Sequence, residues 1–463
     1  MGLRRNLPTR AVQVGILVMA VAAEAALAAA KVPSAPAFPG AEGFGAGATG
    51  GRGGETYQVT NLNDDGPGSL RDAVSKPNRI VVFCISGTIN LKSRLTISQR
   101  NITIAGQSAP GDGICLRGGQ LFISDTENVI VRFLRVRPGD ELGVEQDAVT
   151  VWGSKDVIID HCSLSWSTDS LNDVVRESGN VTVQWCILSE PLAESVHKKG
   201  SHGYATGWDG RKHGGGSFHH NLIAHAVSRA PRIGYFKTGR GLIDCRNNLV
   251  YNSGPAYGGE GDDFNFVNNY FKPGPTFKSD NRAVFELWAD DARAYIHGNV
   301  IEGRHDVLAD NPSAVRYRAG VASDGSKREM PTAEKCLLAE PVDMRSPIRT
   351  DTAIEAAKRV ARFAGAVAPR RDAVDMRILK DVAEGTGKPI NSQSEVGGWP
   401  ALSSADPPLD SDRDGMPDEW EQASGGVLDA NDPADAAMID LATGYSNLEI
   451  YLNELAARAL KAL

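Results

Sequence analysis

The sequence lacks three features that would point to common functional classes. The 463 residues carry a formal net charge of −8, so there is no basic excess of the kind with which nucleic-acid-binding proteins hold phosphates. The six cysteines include no C-x-x-C pair, which argues against the usual zinc and dithiol motifs. After residue 30, no apolar stretch is long enough to span a membrane. Hydrophobic residues nevertheless make up 41% of the chain, which is enough for a folded core.

The first thirty residues have the layout of a secretory signal. Three arginines precede an apolar run at residues 11–23, and small A-x-A triplets follow. A run of this length is too short for a spanning helix. We therefore predict a signal peptide over residues 1–30 and a secreted or periplasmic protein that has no membrane contact after cleavage; an N-terminal anchor is the alternative. Export permits disulfides, and disulfides or free buried thiols both fit the cysteine pattern.

Short strand-like runs recur through the middle of the chain and are separated by turn residues. The chain contains 50 glycines, a residue type that is common in turns. Four of them begin at Asn101, Asn128, Asp156 and Asn180, at intervals of 27, 28 and 24 residues. Each run alternates apolar and polar residues, and no helical pattern lies between them. This spacing predicts a parallel β-solenoid with Asn and Asp side chains stacked in ladders. A β-sandwich would need tight hairpins, and a propeller would need a repeat near 40 residues. The sequence shows neither pattern.

The composition divides the chain into four predicted segments: a signal peptide (1–30), a β-solenoid catalytic domain (31–305), a C-terminal extension (306–405) and a tail (406–463). The solenoid opens with a short cap around SLRDAVS, and the extension holds two helical patterns expected to pack on the solenoid. One coil is over-long, with 36 residues from Cys186 to Leu222, and it should project a loop. The predicted fold class is therefore all-β, with a partly helical extension.

The tail contains the most specific local motif, DSDRDGMPDEWE at residues 410–421. Its acids and its glycine have the spacing of an EF-hand-like calcium loop, because hard Ca²⁺ takes many oxygen ligands around a turn that needs glycine. The predicted ligands are Asp410, Asp412, Asp414, the carbonyl of Met416, Asp418 and Glu421. An acidic solvated linker is the alternative. A related pattern at 439–452 lacks acids at the required positions, so no second ion is expected there.

A second charged group is spread over neighbouring coils. It comprises Glu145, Asp147, Asp169, Asp173, Lys198, Lys199, Arg229 and Arg232. If the coils stack, the acids converge on one face, where carboxylates that share a site require a cation. Surface salt bridges explain the same spacing equally well.

Several ordered motifs carry a family resemblance. The segments AFPGAEGFGAGATGGRGG, NLNDDGPGSLRDAVS, IIDHCSLSWSTD, TVQWCILSEPL, HKKGSHGYATG and HHNLIAHAVSRAPRIG, between about Ala37 and Asn299, resemble the secreted pectate lyases of polysaccharide lyase family one. The resemblance implies a right-handed parallel β-helix, bound Ca²⁺ and a polygalacturonate or pectin substrate. We expect a monomer that binds no nucleic acid.

The resemblance also implies roles for single residues. Arg229, which opens the R-A-P-R stretch, is similar to the family's proton abstractor, and Arg232 to its carboxylate-binding arginine. Lys199 is similar to the substrate lysine, with Lys198 as the alternative match. The family's calcium ligands correspond to Asp147, Asp169 and Asp173, with Glu145 in place of a common Asp. The family's further arginine, two residues after R-x-P-R, is replaced here by Gly234.

The implied reaction is β-elimination, in which Ca²⁺ and basic groups stabilise the charge that develops on the uronate carboxylate. A lysine, Lys198 or Lys199, is the alternative base, because arginine is almost always protonated. Trp208, in the long loop, is predicted to stack on a sugar ring, whereas the histidines are interpreted as coil-stacking and turn residues. Two other functions remain open: a glycoside hydrolase that uses Asp262 and Asp263, and a non-catalytic carbohydrate-binding or adhesin solenoid.

Overall fold

The computed structural model describes residues 35–209, 214–234, 240–278, 282–321 and 327–463. The signal peptide predicted over residues 1–30 lies outside these ranges. Within them, no helix combines the length and apolar character needed to cross a membrane.

The chain winds into a parallel β-helix whose strands form three sheets, as the repeats predicted. The first sheet contains ten strands: Glu55–Val59, Arg79–Phe83, Ile102–Ala105, Glu127–Arg132, Lys155–Asp160, Gly179–Gln184, Gly215–His219, Leu242–Arg246, Asp263–Val267 and Arg293–His297. The second contains nine: Gly87–Asn90, Ile114–Arg117, Arg135–Arg137, Ser163–Ser165, Ile187–Ser189, Leu222–Ala224, Leu249–Tyr251, Tyr270–Lys272 and Val300–Ile301. The third also contains nine: Leu95–Ile97, Leu121–Ser124, Val149–Trp152, Ser170–Val175, Tyr204–Trp208, Arg232–Ile233, Tyr257–Gly258, Phe285–Leu287 and Val315–Tyr317. The last of these strands extends the solenoid past residue 305.

Apolar side chains fill the interior of the solenoid in stacked rows. In the first sheet one row runs through paired positions of successive coils: Ile104, Val131, Ile159, Val183, Phe218, Cys245, Phe266 and Ile296. Every member of this row is buried. Alternation along each strand therefore places one side-chain row inside and the next outside, which is the pattern the sequence showed.

Buried asparagines form a ladder along the corner between the first and second sheets. The backbone N–H groups of Asn221, Asn248, Asn269 and Asn299 each donate to the side-chain oxygen of the next asparagine, ending at Asn311, over 2.7–3.0 Å. The amide side chains also donate to carbonyls of neighbouring coils; Asn248 Nδ2, for example, lies 3.0 Å from the Phe218 carbonyl oxygen. The ladder thus satisfies backbone groups that the turn removes from the sheets.

The corner position before the ladder requires a left-handed backbone conformation. Phe133, His161, Trp185 and His220 all have φ between 50 and 55°, and their rings stack from coil to coil. The centroids of Trp185 and His220 are 4.4 Å apart. These histidines are coil-stacking residues, as interpreted from the sequence.

Helices cover the solenoid. The α-helices are Leu70–Ala73, His305–Ala309, Ala333–Cys336, Ala353–Phe363, Ala373–Glu384, Asp418–Gln422 and Asn447–Ala462. The 3₁₀ turns are Phe44–Gly47, Gly106–Ser108, Pro312–Ala314, Gln393–Val396 and Asp435–Ala437. The two long helices of the extension bury Val360 and Ile378 against Ile187 and Leu222 of the second sheet. Leu70 and Ala73 of the first helix are buried in the solenoid core, which agrees with the predicted N-terminal cap.

The six cysteines are free thiols in the structure. Five are buried, and Cys162 and Cys186 occupy the ladder corner, where the Cys162 N–H donates to the Cys186 sulfur over 3.4 Å. They therefore act as small core side chains, which is one of the two alternatives that the sequence left open.

Replacing Asn248 by Ala should destabilise the protein by roughly 3 kcal/mol, because the Asn221 N–H, the Phe218 carbonyl oxygen and the Asn269 side-chain oxygen each lose a buried hydrogen-bond partner. The measurement is the urea midpoint of the purified protein. The exposed Asn63→Ala is the matched control and should change the stability by less than about 0.5 kcal/mol. Equal midpoints for the two variants would contradict a stabilising role for the ladder.

Candidate active site

The third sheet brings the predicted acidic and basic residues onto one face. Thr150, Asp173, Gly207 and Arg232 occupy paired positions of four successive strands. Asp147 lies just before the first of these strands and Asp169 just before the second. Because equivalent positions stack at about the interstrand distance, groups that are far apart in the sequence become neighbours.

Three aspartates form the acidic part of the site. Asp147 accepts hydrogen bonds from the Ser170 N–H over 3.0 Å and from the Thr150 hydroxyl over 2.5 Å. Asp173 accepts from the Gly207 N–H over 2.8 Å. Burial, followed by the charges of Asp173 and Asp169, raises the pKa of Asp147 well above its ordinary value. Burial, with Asp169 adding to it against the opposing Arg229 charge, raises the pKa of Asp173 to about 6. The cluster therefore favours a counter-charge.

Arg229 faces these carboxylates. Its Nη1 lies 3.3 Å from Asp173 Oδ2 and 3.1 Å from the Ser170 hydroxyl, and the guanidinium lies over the Tyr204 ring at 4.2 Å. The side chain is largely buried. Its backbone φ of 55° lies in the left-handed region, which the corner residues of other coils, such as Phe133 and His220, also adopt. The fold therefore holds Arg229 in one orientation against Asp173.

Arg232 is paired with an acid that the sequence reasoning missed. Its Nη2 lies 2.9 Å from Glu260 Oε1, and its guanidinium carbon lies 5.7 Å from the centroid of the Tyr257 ring and 6.0 Å from that of Trp288. Gly234 makes this approach possible. A Cβ atom there would lie 2.6 Å from the Glu260 backbone nitrogen, and φ is +77°. The glycine that departs from the family pattern is thus required by the backbone next to Glu260.

The projecting loop places its lysines at the rim. Lys198 and Lys199 are exposed, and the Lys198 N–H donates to Glu145 over 2.6 Å. The same loop buries His197, whose Nε2 lies 3.6 Å from Asp169 Oδ2 and 3.9 Å from Glu145 Oε2. Burial lowers the pKa of His197. His197 and its stacking partner His202 were not among the predicted site residues; their only sequence signal is their place in the over-long coil.

The predicted sugar-stacking role of Trp208 is wrong. The sequence placed it in a loop facing a sugar, but it ends the strand Tyr204–Trp208, is fully buried and packs against Phe218 inside the solenoid. A ring without solvent exposure cannot stack on a polysaccharide. Trp208 is therefore a core residue.

The acidic groups suit an oxygen-ligated cation. Asp169 Oδ1 is buried and has no hydrogen-bond partner among the described residues. A cation held by Asp147, Asp169 and Asp173 would meet the all-oxygen donor set that Ca²⁺ prefers. The site residues therefore fit calcium.

The tail places its predicted ligands around a second acidic cluster. One carboxylate oxygen each from Asp410, Asp412 and Asp414 lie within 4.8 Å of one another. Burial and the neighbouring acids raise the pKa of Asp414 to about 8 and that of Glu421 to about 7. The side chain of Met416, next to Asp414, is fully buried.

Asp418 belongs to neither group of converging carboxylates among the described residues. Both of its oxygens accept from Ser411, one from the backbone N–H and one from the hydroxyl, each over 2.7 Å. Asp435, which lies beyond the twelve-residue motif, has a carboxylate oxygen within 4.8 Å of Asp414 and Glu421 instead.

Comparison with known proteins identifies the family. A family model described as Pectate lyase matches residues 14–269. The chain belongs to the pectate lyase family. It is 35% identical to the probable pectate lyase C of Aspergillus terreus over 87% of this chain and 90% of that protein. It is 36% identical to the probable pectate lyase C of Emericella nidulans over 87% of this chain and 88% of that protein.

Among solved structures, a pectate lyase from Bacillus sp. N165 in complex with trigalacturonate matches with a TM-score of 0.48 and 17% identity. It covers 71% of this chain and 99% of that one. The family membership confirms the predicted resemblance and the prediction of a polysaccharide lyase with pectate lyase function.

Proposed function

We propose that this pectate lyase is secreted, binds Ca²⁺ and cleaves polygalacturonate by β-elimination to give unsaturated oligogalacturonides. The observation that carries this proposal is the contact between Arg229 and Asp173, which sets a base candidate directly beside a group of buried and half-buried carboxylates. A glycoside hydrolase would not require this basic side chain. The N-terminal layout, with its short apolar run, supports secretion.

Arg229 is the proposed proton acceptor. In the elimination, the proton on C5, α to the uronate carboxylate, passes to the base and a double bond forms between C4 and C5. The bond between C4 and the glycosidic oxygen breaks, and that oxygen leaves with the electron pair and takes up a proton from water. Ordinary arginine is protonated at neutral pH, and the neighbouring Asp173 carboxylate favours that charged form. A neutral guanidine would therefore require cationic neighbours, such as Lys199, Arg232 and a bound Ca²⁺, to outweigh this carboxylate. The contacts with Asp173 and Ser170 limit the motion of the Arg229 side chain.

The remaining charged groups have binding roles in this proposal. Arg232 is oriented by Glu260 and would hold a substrate carboxylate, while exposed Lys199, with Lys198 beside it, meets the polymer at the rim. Asp147, Asp169 and Asp173 would hold Ca²⁺, and Glu145 instead positions the loop through the Lys198 N–H. When bound, the cation would neutralise substrate carboxylate charge as it develops.

The first test is near-ultraviolet absorbance during incubation with polygalacturonate, first with calcium chloride and then with excess chelator. We expect a rise with calcium, because only elimination creates a conjugated double bond, and loss of that rise after chelation. New reducing ends without absorbance would instead indicate a hydrolase. Binding without either change, repeated with methylated pectin, would indicate a carbohydrate-binding solenoid.

Arg229→Lys should lower kcat at least 100-fold, because the shorter ammonium group cannot reproduce the two contacts of the guanidinium with Asp173 and Ser170. Initial rates on polygalacturonate at saturating calcium measure the effect. Arg293→Lys on the first sheet, whose exposed side chain pairs with Asp263, is the control and should keep the rate within about twofold. Near-full turnover by Arg229→Lys would assign the base to another residue, with Lys198 and Lys199 the first to test.

The calcium requirement should increase at acid pH. Asp173 has a pKa raised to about 6, and Asp147 a pKa raised well above its ordinary value, so protons compete with the cation as pH falls through about 6. The calcium concentration for half-maximal rate should rise up to about tenfold per pH unit for each proton displaced. Rates at pH 5, 6, 7 and 8 over a calcium series measure this. A half-maximal concentration independent of pH would remove these aspartates from the metal site.

A further inference from the structure

The tail cluster contains buried carboxyl groups for which the described part of the chain supplies no partner. Glu421 is fully buried, Asp414 is 2% exposed and Asp435 is 5% exposed. Both oxygens of Glu421 and one each of Asp414 and Asp435 have no hydrogen-bond partner in the described part of the chain. Burying an unpaired carboxylate is costly, and buried charges are normally paired or bound to a metal.

Two carboxylate triads meet at Asp414. One is formed with Asp410 and Asp412, and the other with Glu421 and Asp435; in each, the ligand atoms lie within 4.8 Å of one another. Among the described residues, no lysine or arginine makes an ion pair within 4.0 Å with any of these five acids. A single cation between the triads would compensate both, and hard oxygen donors in this number select calcium, which takes about six to eight oxygens.

The cluster also sits where the tail touches the solenoid. Gln58, on the first strand, donates to Asp410 Oδ2 over 2.6 Å. Met416 packs in one apolar cluster with Ile80 and Val82 of the next strand and with Leu448 of the last helix. The calcium loop is therefore placed between the first two coils and the helix Asn447–Ala462.

We propose that Asp410, Asp412, Asp414, Glu421 and Asp435, with the Met416 carbonyl, bind a calcium ion that fastens the tail to the first two coils. Asp435 replaces Asp418, which the twelve-residue pattern assigns as a ligand, because Ser411 occupies both Asp418 oxygens. The cation draws the loop closed and so holds Met416 against Ile80 and Val82. This site is separate from the face that carries Arg229 and does not depend on the lyase proposal.

Hydrogen exchange of the full mature chain, read by mass spectrometry, tests the proposal locally. With 1 mM calcium chloride, amides in residues 414–421 and 447–456 should exchange at least about tenfold more slowly than in chelator, because the cation suppresses opening of the tail. Magnesium chloride should protect much less, since Mg²⁺ demands a smaller octahedral site. Equal exchange in calcium and in chelator would overturn the proposal without any variant.

Two variants identify the ligand. Asp435→Asn should lose the calcium-dependent protection, whereas Asp418→Asn should retain it. Of these two residues, Asp435 is the one with a carboxylate oxygen in the cluster and an oxygen that lacks a hydrogen-bond partner among the described residues. The reverse result, with Asp418→Asn insensitive to calcium and Asp435→Asn protected as the unmodified chain is, would restore the pattern-based ligand set and contradict the one proposed. Neither variant alters residues 145–232, so lyase activity is not the readout.

Discussion

Backbone hydrogen bonding between consecutive coils is the constraint on which the rest of this molecule depends. Each coil satisfies its strand N–H and C=O groups only with the coil before and the coil after it. Side chains at equivalent positions therefore stack in rows, whether apolar as in the Ile104–Ile296 row or polar as in the asparagine ladder. The first and last coils lack one neighbour, so their exposed surfaces have to be covered by other segments of the chain.

The same stacking decides where charge accumulates. In the first sheet, Arg132 and Asp160 of adjacent coils are paired at 2.9 Å, and their charges cancel. Beside the third sheet, Asp147, Asp169 and Asp173 lie close together, and Arg229 pairs with Asp173. Stacked like charges are destabilising, so this excess of carboxylate is tolerated only where a cation or a substrate supplies the balance. The candidate active site is thus a local exception to the pairing that the coils otherwise achieve.

Sequence periodicity was sufficient for the fold because the strand-like runs alternate apolar and polar residues and are followed by Gly, Asn, Asp or Ser. It also predicted that Asp147, Asp173 and Arg229 would share one face, since equivalent positions of stacked coils meet in space, whereas the roles of these residues came from the family resemblance. Contacts between coils at irregular spacing could not be predicted from the sequence. The pair of Arg232 and Glu260 is one of them, because it depends on the close approach of the Glu260 backbone to Gly234. Asp435 could not be predicted either, because it follows the twelve-residue motif and meets Asp414 and Glu421 only in the folded chain. Trp208 was misplaced because a strand within the long insert has the composition of a loop.

An acidic chain that acts on an acidic polymer has to attract it at short range. The net charge of −8 opposes approach of polygalacturonate, but screening at physiological salt limits this repulsion to about 8 Å. Within that distance, the local basic groups determine whether the polymer is attracted. The exposed Lys198 and Lys199 at the rim would meet it first, followed by Arg229 and Arg232 on the face. Under the proposed function, calcium adds positive charge where the aspartates would otherwise repel a uronate. The cation would therefore offset most of the negative charge that the fold concentrates at this site.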